Sequence, residues 1–213
     1  QFKSQSLYLH LKKGWNINGL SGCFIDPIPA QMRMGKRWYD GTADSVFQNL
    51  SFIEQENPEY ICVFGSDHIY KMDVNQMLNY HKAKKAVLTI AAIRIPIEKA
   101  RSLGVIEIDH DGRMVGFEEK PSNPHCIPGD PEHALVSMGN YIFDPETLYN
   151  ETQKDNDNPY SAHDFGKDII PEMLSDGKAI YVYDFSTNDI PGEEHRRGYW
   201  RDVGTLPRTS TTG

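Results

Sequence analysis

The stretch Tyr60-Ile61-Cys62-Val63-Phe64-Gly65-Ser66-Asp67-His68-Ile69-Tyr70-Lys71 decides the reading of this chain. An unbroken apolar run, with β-branched and aromatic members, stops at Gly65-Ser66-Asp67. That is the pattern of a strand covered on both faces of a parallel sheet. Asp67 then follows the carboxyl end of the strand, the edge at which open α/β sheets bind ligands. Gly, Ser and Asp are also ordinary turn formers, so the segment alone leaves Asp67 open between a turn and a site. Cys62, inside the run, reads as a small core residue.

Outward from this strand, helices and strands alternate. Asp73 begins a helix through Met77, Leu78 and Tyr80, and residues 86–95 form a second buried strand. Residues 105–109 alternate like a strand, turn at Asp109-His110-Asp111-Gly112, and return over 113–119 as a hairpin. Residues 134–143 and 179–184 are further strands, and Asp144-Pro145 has the chemistry of a helix start. Residues 151–160 are polar and poorly patterned. His163 opens an amphipathic segment in which Phe165, Ile169, Ile170 and Leu174 make the stripe. The expected fold class is therefore α/β, a mostly parallel Rossmann-like sheet flanked by helices, with an antiparallel hairpin portion.

Upstream, Ser4 caps a helix that ends at Gly14, and residues 23–28 suggest a strand ended by Pro27 and Pro29. Thr42 is a good cap for a helix carrying Ala43, Val46, Leu50 and Ile53 on one face. Because Gly41 precedes it, that helix start can present free N–H groups to an anion or a nucleotide. An ordinary capped helix, with Trp38 and Tyr39 covering the core, explains the same spacing.

The chain has 213 residues, 38% of them hydrophobic, and a formal net charge of -8. This is enough for one large domain with a real core. The acidic balance argues against nucleic acid, which needs clustered Lys and Arg. Carboxylates in a protein that handles phosphates suit a divalent cation instead. No run approaches 18 apolar residues and no charged-then-apolar leader opens the sequence, so a membrane is not expected and the cytoplasm is. Cys23, Cys62 and Cys126, odd in number and widely spaced, fit reduced thiols. Neither a G-x-x-x-x-G-K-[ST] loop nor a G-x-G-x-x-G, G-x-S-x-G or H-E-x-x-H motif occurs.

Eight segments nevertheless stand in a telling order: Gln1-Phe2-Lys3-Ser4, Pro29-Ala30-Gln31, Trp38-Tyr39-x-Gly41-Thr42-Ala43-Asp44, Asp67-His68-Ile69-Tyr70-Lys71-x-Asp73, Phe117-x-Glu119-Lys120-Pro121, Ser137-Met138-Gly139-x-Tyr141, His163-Asp164-Phe165-Gly166-Lys167-Asp168 and Tyr199-Trp200-Arg201-Asp202-Val203-Gly204-Thr205. In this order they resemble the bacterial ADP-glucose pyrophosphorylases, glucose-1-phosphate adenylyltransferases of the sugar nucleotidyltransferase family.

The resemblance implies a catalytic domain over residues 1–206 and a tail over 207–213. The family's Gly-rich triphosphate loop would precede Gln1, and its left-handed β-helix domain would follow Thr205. Residues 1–213 by themselves are accordingly expected to turn over poorly. The implied reaction makes ADP-glucose and pyrophosphate from ATP and glucose 1-phosphate, with Mg2+, for glycogen synthesis. A related transferase using UTP, GTP or dTTP is the alternative within enzymes, and a non-catalytic regulatory subunit the alternative outside them. Sugar-phosphate or nucleotide effectors, reached partly through Arg33, and a homotetramer are implied for the full-length protein.

The resemblance also implies site residues. Asp67 and Asp202 match the carboxylates that hold the metal, and with Lys120 they are the catalytic set. Tyr39, Gly104, Glu119, Lys120 and Ser137 match the glucose 1-phosphate pocket, and Gln1, Gly41 and Thr42 the nucleotide side. Read from chemistry alone, Lys120 can neutralise a phosphate while Glu119 accepts sugar hydroxyls; a surface ion pair is the plain alternative. His163 to Asp168 reads mainly as a structural helix start, with Asp164 or Lys167 at the site as the lesser reading.

Overall fold

The computed structural model describes residues 4–15, 22–30, 38–192 and 198–203, with only the backbone of Ser4 and Asp202. Gln1, Arg33, Gly204 and Thr205 lie outside the described residues. A six-stranded sheet organises the chain. Its strands are β1 (Ile61–Phe64), β3 (Leu88–Pro96), β4 (Gly104–Ile108), β5 (Met114–Glu119), β6 (His133–Phe143) and β7 (Ile180–Asp184). β2 (His68–Tyr70) and β8 (Trp200–Asp202) pair separately as a two-stranded ribbon.

The long strand β6 is the axis. β3 lies along one edge, antiparallel, while the other edge is shared by β1 near its end and β4 near its start. β7 continues outward from β3 in parallel, and β5 returns from β4 as the expected hairpin. β1, β3, β4 and β7 thus run in one direction, and the core strands are mostly parallel, as the α/β reading requires. Because β6 runs the opposite way between them, only the β3–β7 pair makes parallel hydrogen bonds among the described residues.

Each strand alternates between two faces. Leu88, Ile90, Leu135, Tyr141 and Phe143 point to one side, against α2 (Thr42–Phe47), α5 (Pro145–Asn156) and α6 (Ile170–Ser175). Ala91, Ile93, Val136, Met138 and Ile142 point to the other, against α4 (Val74–Lys84) and two short 3₁₀ turns. Fully burying side chains such as Phe143, Leu148 and Ile170 contributes about 2 kcal/mol each from apolar transfer.

Several expectations are corrected. β1 is antiparallel to β6 and covered on one face: Ile61 and Val63 meet the core, whereas Cys62 and Phe64 are exposed. Residues 22–30 contain no strand; two prolines remove donors that a ladder requires. The helix from Thr42 breaks at Gln48–Asn49 and resumes as α3 (Leu50–Gln55). The polar segment from Glu151 is the second half of α5. Its inward polar groups find partners beyond their own helix or one turn back: Glu151 with Lys178, Asp155 with His163, and Thr152 with the Leu148 carbonyl. Helices do start where expected at Asp73 and Asp144, and both act as caps, their carboxylates accepting from Asn75 N and Thr147 N. α1 (Ser4–Gly14) also matches.

Candidate functional site

β1 and β4 meet the same edge of β6 but leave Ser137, Met138 and Gly139 uncovered between them. There β6 also carries extra residues relative to β3, since the register shifts between Ile90 and Ala92. Gly139, at φ +69°, supplies the left-handed residue this bulge needs. The result is a cavity of about 660 Å3 at the carboxyl end of β1.

Of the expected residues, Thr42, Asp67, Gly104, Glu119, Lys120 and Ser137 line this cavity together. Tyr39 does not; its hydroxyl accepts from Asn49 Nδ2 at 2.9 Å. Gly41 does not either. A Cβ on it would sit 2.1 Å from the His163 carbonyl oxygen, so Gly41 is what lets that backbone approach. The carbonyl takes two N–H groups of the first turn of α2, Ala43 N at 2.8 Å and Asp44 N at 3.4 Å. The free helix start foreseen for an anion is therefore occupied by the chain itself, and Thr42 is not its cap. Instead the Thr42 hydroxyl donates to Asp164 Oδ2 and accepts from Phe165 N, both at 3.1 Å.

Glu119 ends β5 with its carboxylate held between two glycines. A Cβ at Gly104 would lie 2.8 Å from Glu119 Oε2, and one at Gly166 would lie 3.1 Å away. Burial pushes the Glu119 carboxyl above its ordinary value; Lys120 opposes this and Asp164 adds to it. Lys120 Nζ stands 3.6 Å from Glu119 Oε1. Its backbone is left-handed at φ +53°, a conformation that costs a non-glycine residue about 1 kcal/mol or more. The strain turns an exposed ammonium to the cavity mouth beside a half-buried carboxylate.

Asp67 has a side chain 58% exposed, with His68 Nε2 at 3.5 Å. Across the ribbon His68 pairs with Asp202, and Val203 N donates to Asp67 O at 2.9 Å. The backbones of the two expected metal carboxylates are thereby neighbours. His68 also packs against Trp200 in a tilted contact, ring centroids 5.0 Å apart, and both residues line the cavity. Among the described residues no group of three or more His, Cys, Asp or Glu is gathered for a metal.

The opposite wall comes from the segment after His163. A π-helical turn, Phe165–Ile169, leads into α6, and such turns recur at functional sites. Asp164 Oδ1 accepts from Gly166 N and Lys167 N, while Asp168 Oδ2 accepts from Asp164 N, a reciprocal cap. Phe165 packs on Tyr141 and Phe143, with ring centroids 5.6 and 5.8 Å apart. Asp164 thus both caps the turn and lines the cavity, whereas Lys167 is not among the lining residues. Tyr141, Asp164 and Trp200 were legible as motif members but not as walls of one cavity. The Tyr141 hydroxyl, buried and hydrogen-bonded with Ser137, has its pKa raised to about 12 by desolvation and stays protonated at neutral pH.

The arrangement joins exposed and half-buried acceptors, one ammonium and a neutral phenol around a space of ligand size. The chain as a whole is similar to known proteins. A glucose-1-phosphate adenylyltransferase of Photobacterium profundum is 67% identical over 206 residues, covering 97% of this chain and 50% of that protein. One from Aliivibrio fischeri is 64% identical over 206 residues, and one from Anaeromyxobacter dehalogenans 50% over 208, with the same shares of each chain covered. The chain spans about half the length of these curated relatives. Residues 1–209 match the family described as Nucleotidyl transferase, and since the match takes in β1 to β8 and every wall of the cavity, the chain belongs to the nucleotidyl transferase family.

Proposed function

We propose that this chain carries the catalytic domain of an adenylyltransferase, which moves the adenylyl group of ATP to glucose 1-phosphate and releases pyrophosphate. The observation that carries the reading is the β2–β8 ladder, which brings Asp67 and the Asp202 backbone together at the rim of the cavity that holds Glu119 and Lys120. A phosphate oxygen of the sugar attacks the α-phosphorus in line. As that P–O bond forms, the bond from the α-phosphorus to the bridging oxygen breaks, and pyrophosphate leaves with the electron pair. No protein nucleophile is needed, so catalysis consists of positioning and charge neutralisation.

Lys120 neutralises the sugar phosphate, while Glu119 and Asp164 accept hydrogen bonds from the sugar hydroxyls. Tyr141 and Ser137 supply neutral donors on the β6 floor. Asp67 and Asp202 would hold Mg2+, which contributes neutralisation of charge on the α-phosphate and pyrophosphate. The donor set fits that ion: an exposed carboxylate beside a second acidic residue supplies hard oxygen donors and leaves positions for water and phosphate oxygens. The resemblance further supports ADP-glucose for glycogen as the product, and a homotetramer under sugar-phosphate or nucleotide effectors as the full-length form.

The test measures pyrophosphate release by the full-length protein with glucose 1-phosphate, Mg2+ and either ATP, UTP, GTP or dTTP. Preference for ATP supports the proposal. Preference for another nucleotide, or binding without turnover, overturns it.

A further inference from the structure

His163 is buried at φ +54°, in the left-handed region, although it is not a glycine. Such a residue persists only where its surroundings over-determine it. Here Nδ1 of its ring lies 2.8 Å from Asp155 Oδ2 on the last turn of α5, and Asp155 is itself 3% exposed. A carboxylate accepts, so Nδ1 carries the proton. Ser161 closes a triangle: its hydroxyl donates to Asp155 Oδ1 at 2.5 Å and accepts from His163 N at 2.9 Å.

These three residue types are those of a hydrolytic triad, but the geometry is not. Ser161 gives its proton to Asp155 and not to the imidazole, and none of the three lines the cavity. What the triangle does fix is the direction of the peptide that follows. The His163 carbonyl points at the start of α2, where it takes Ala43 N and Asp44 N, and Asp164 emerges at the cavity wall. Asp164 then grips Gly166 N, Lys167 N and the Thr42 hydroxyl.

We propose that the buried Asp155–His163 pair is a positioning device for the sugar side of the cavity, setting the Asp164 carboxylate against the ligand hydroxyls without touching the ligand. The inference rests on the adenylyltransferase reading for the identity of that ligand. It does not rest on it for the mechanical link from His163 to Asp164.

The experiment uses the full-length protein with His163→Ala, His163→Asn and Asp155→Asn. Asparagine tolerates the left-handed region and keeps an N–H donor near the Nδ1 position. In His163→Ala the KM for glucose 1-phosphate should rise about tenfold, the weight of one weakened hydrogen bond to a charged group. Its kcat and its KM for ATP should stay within about twofold, and His163→Asn should recover most of the loss. Hydrogen exchange should quicken at Gly166 N and Lys167 N. If His163→Ala does not fold, Asp155→Asn carries the same expectations.

A folded variant with unchanged KM and unchanged exchange overturns the inference, as does a fall in all kinetic parameters together. If the wild-type protein shows no turnover with ATP and glucose 1-phosphate, the functional reading fails by itself. The exchange rates then decide the positioning role: quickened amides support it and unchanged amides overturn it.

Discussion

The carbonyl oxygen of Asp67 accepts the backbone N–H of Val203 at 2.9 Å, closing the end of the β2–β8 ribbon that lies at the cavity rim. The bond is between main chains, so it survives changes of either acidic side chain. Replacing Asp67 by Asn should therefore leave the fold intact and remove a charge that the proposed reaction assigns to metal binding. We expect kcat to fall about 100- to 1,000-fold, the Mg2+ concentration for half-maximal rate to rise, and the melting temperature to move little. Chelation of divalent cations should stop wild-type turnover, and added Mg2+ should restore it. Full activity after chelation, or in the Asp67→Asn protein, would contradict the metal role.

In the proposed reaction Lys120 and Glu119 separate charge neutralisation from hydroxyl recognition. The Lys120 side chain is 59% exposed and contributes little to stability. Lys120→Ala should raise the KM for glucose 1-phosphate roughly 10- to 100-fold, as loss of a charged hydrogen bond does, with a smaller effect on ATP. Steady-state kinetics with each substrate varied in turn give the comparison, and equal effects on both would place the ammonium elsewhere.

Glu119 makes a pH-dependent prediction. Burial raises its carboxyl pKa, so the fold favours the protonated form. Its favourable contribution is then present below the unfolded-state value and is lost as pH rises through the raised folded-state value. Glu119→Gln removes that loss. The melting temperature of the variant, relative to wild type, should increase between pH 4 and pH 7 while turnover falls. Calorimetry across this range checks the sign, and a relative decrease would mean that Lys120 outweighs burial.

Two glycines should respond differently to the same methyl group. At Gly41 the new carbon would meet backbone, the His163 carbonyl at 2.1 Å, which cannot step aside without moving α2. Gly41→Ala should cost about 3 kcal/mol, or roughly 10 °C in melting temperature. At Gly104 the obstacles are the Phe117 ring and the Glu119 carboxylate, at 2.7 and 2.8 Å, and side chains can turn away. Gly104→Ala should cost about 1 kcal/mol yet raise the KM for the sugar phosphate, because Glu119 is what moves. Thermal melts with kinetics on both variants test the contrast.

The strands and helices were legible because their signals are local: the alternation of 105–109, the helix starts at Asp73 and Asp144, and the apolar run ending at Phe64. Strand order was not. Nothing in residues 133–143 announces that β6 runs against β1, β3 and β4, and that reversal makes the uncovered edge at Ser137–Gly139. The ribbon was equally hidden, since three-residue strands show no periodicity. Thr42 looked like a cap because its type and place are right. The donor groups were claimed instead by a carbonyl from the far side of the sequence. The second half of α5 was missed because buried Glu151 and Asp155 break the apolar stripe, and Lys178 and His163, which satisfy them, lie well downstream.

β2 lies in the first third of the chain and its partner β8 in the last described segment, more than half the chain later. During synthesis β2 must wait unpaired until the ribosome has delivered β8, by which time the strands of the main sheet have all emerged. The two acidic positions are thus brought together after their surroundings, and a prematurely terminated polypeptide lacking β8 would carry Asp67 without the partner the proposed reaction gives it. Such truncated products should be unable to consume nucleotide, however well the rest of them folds.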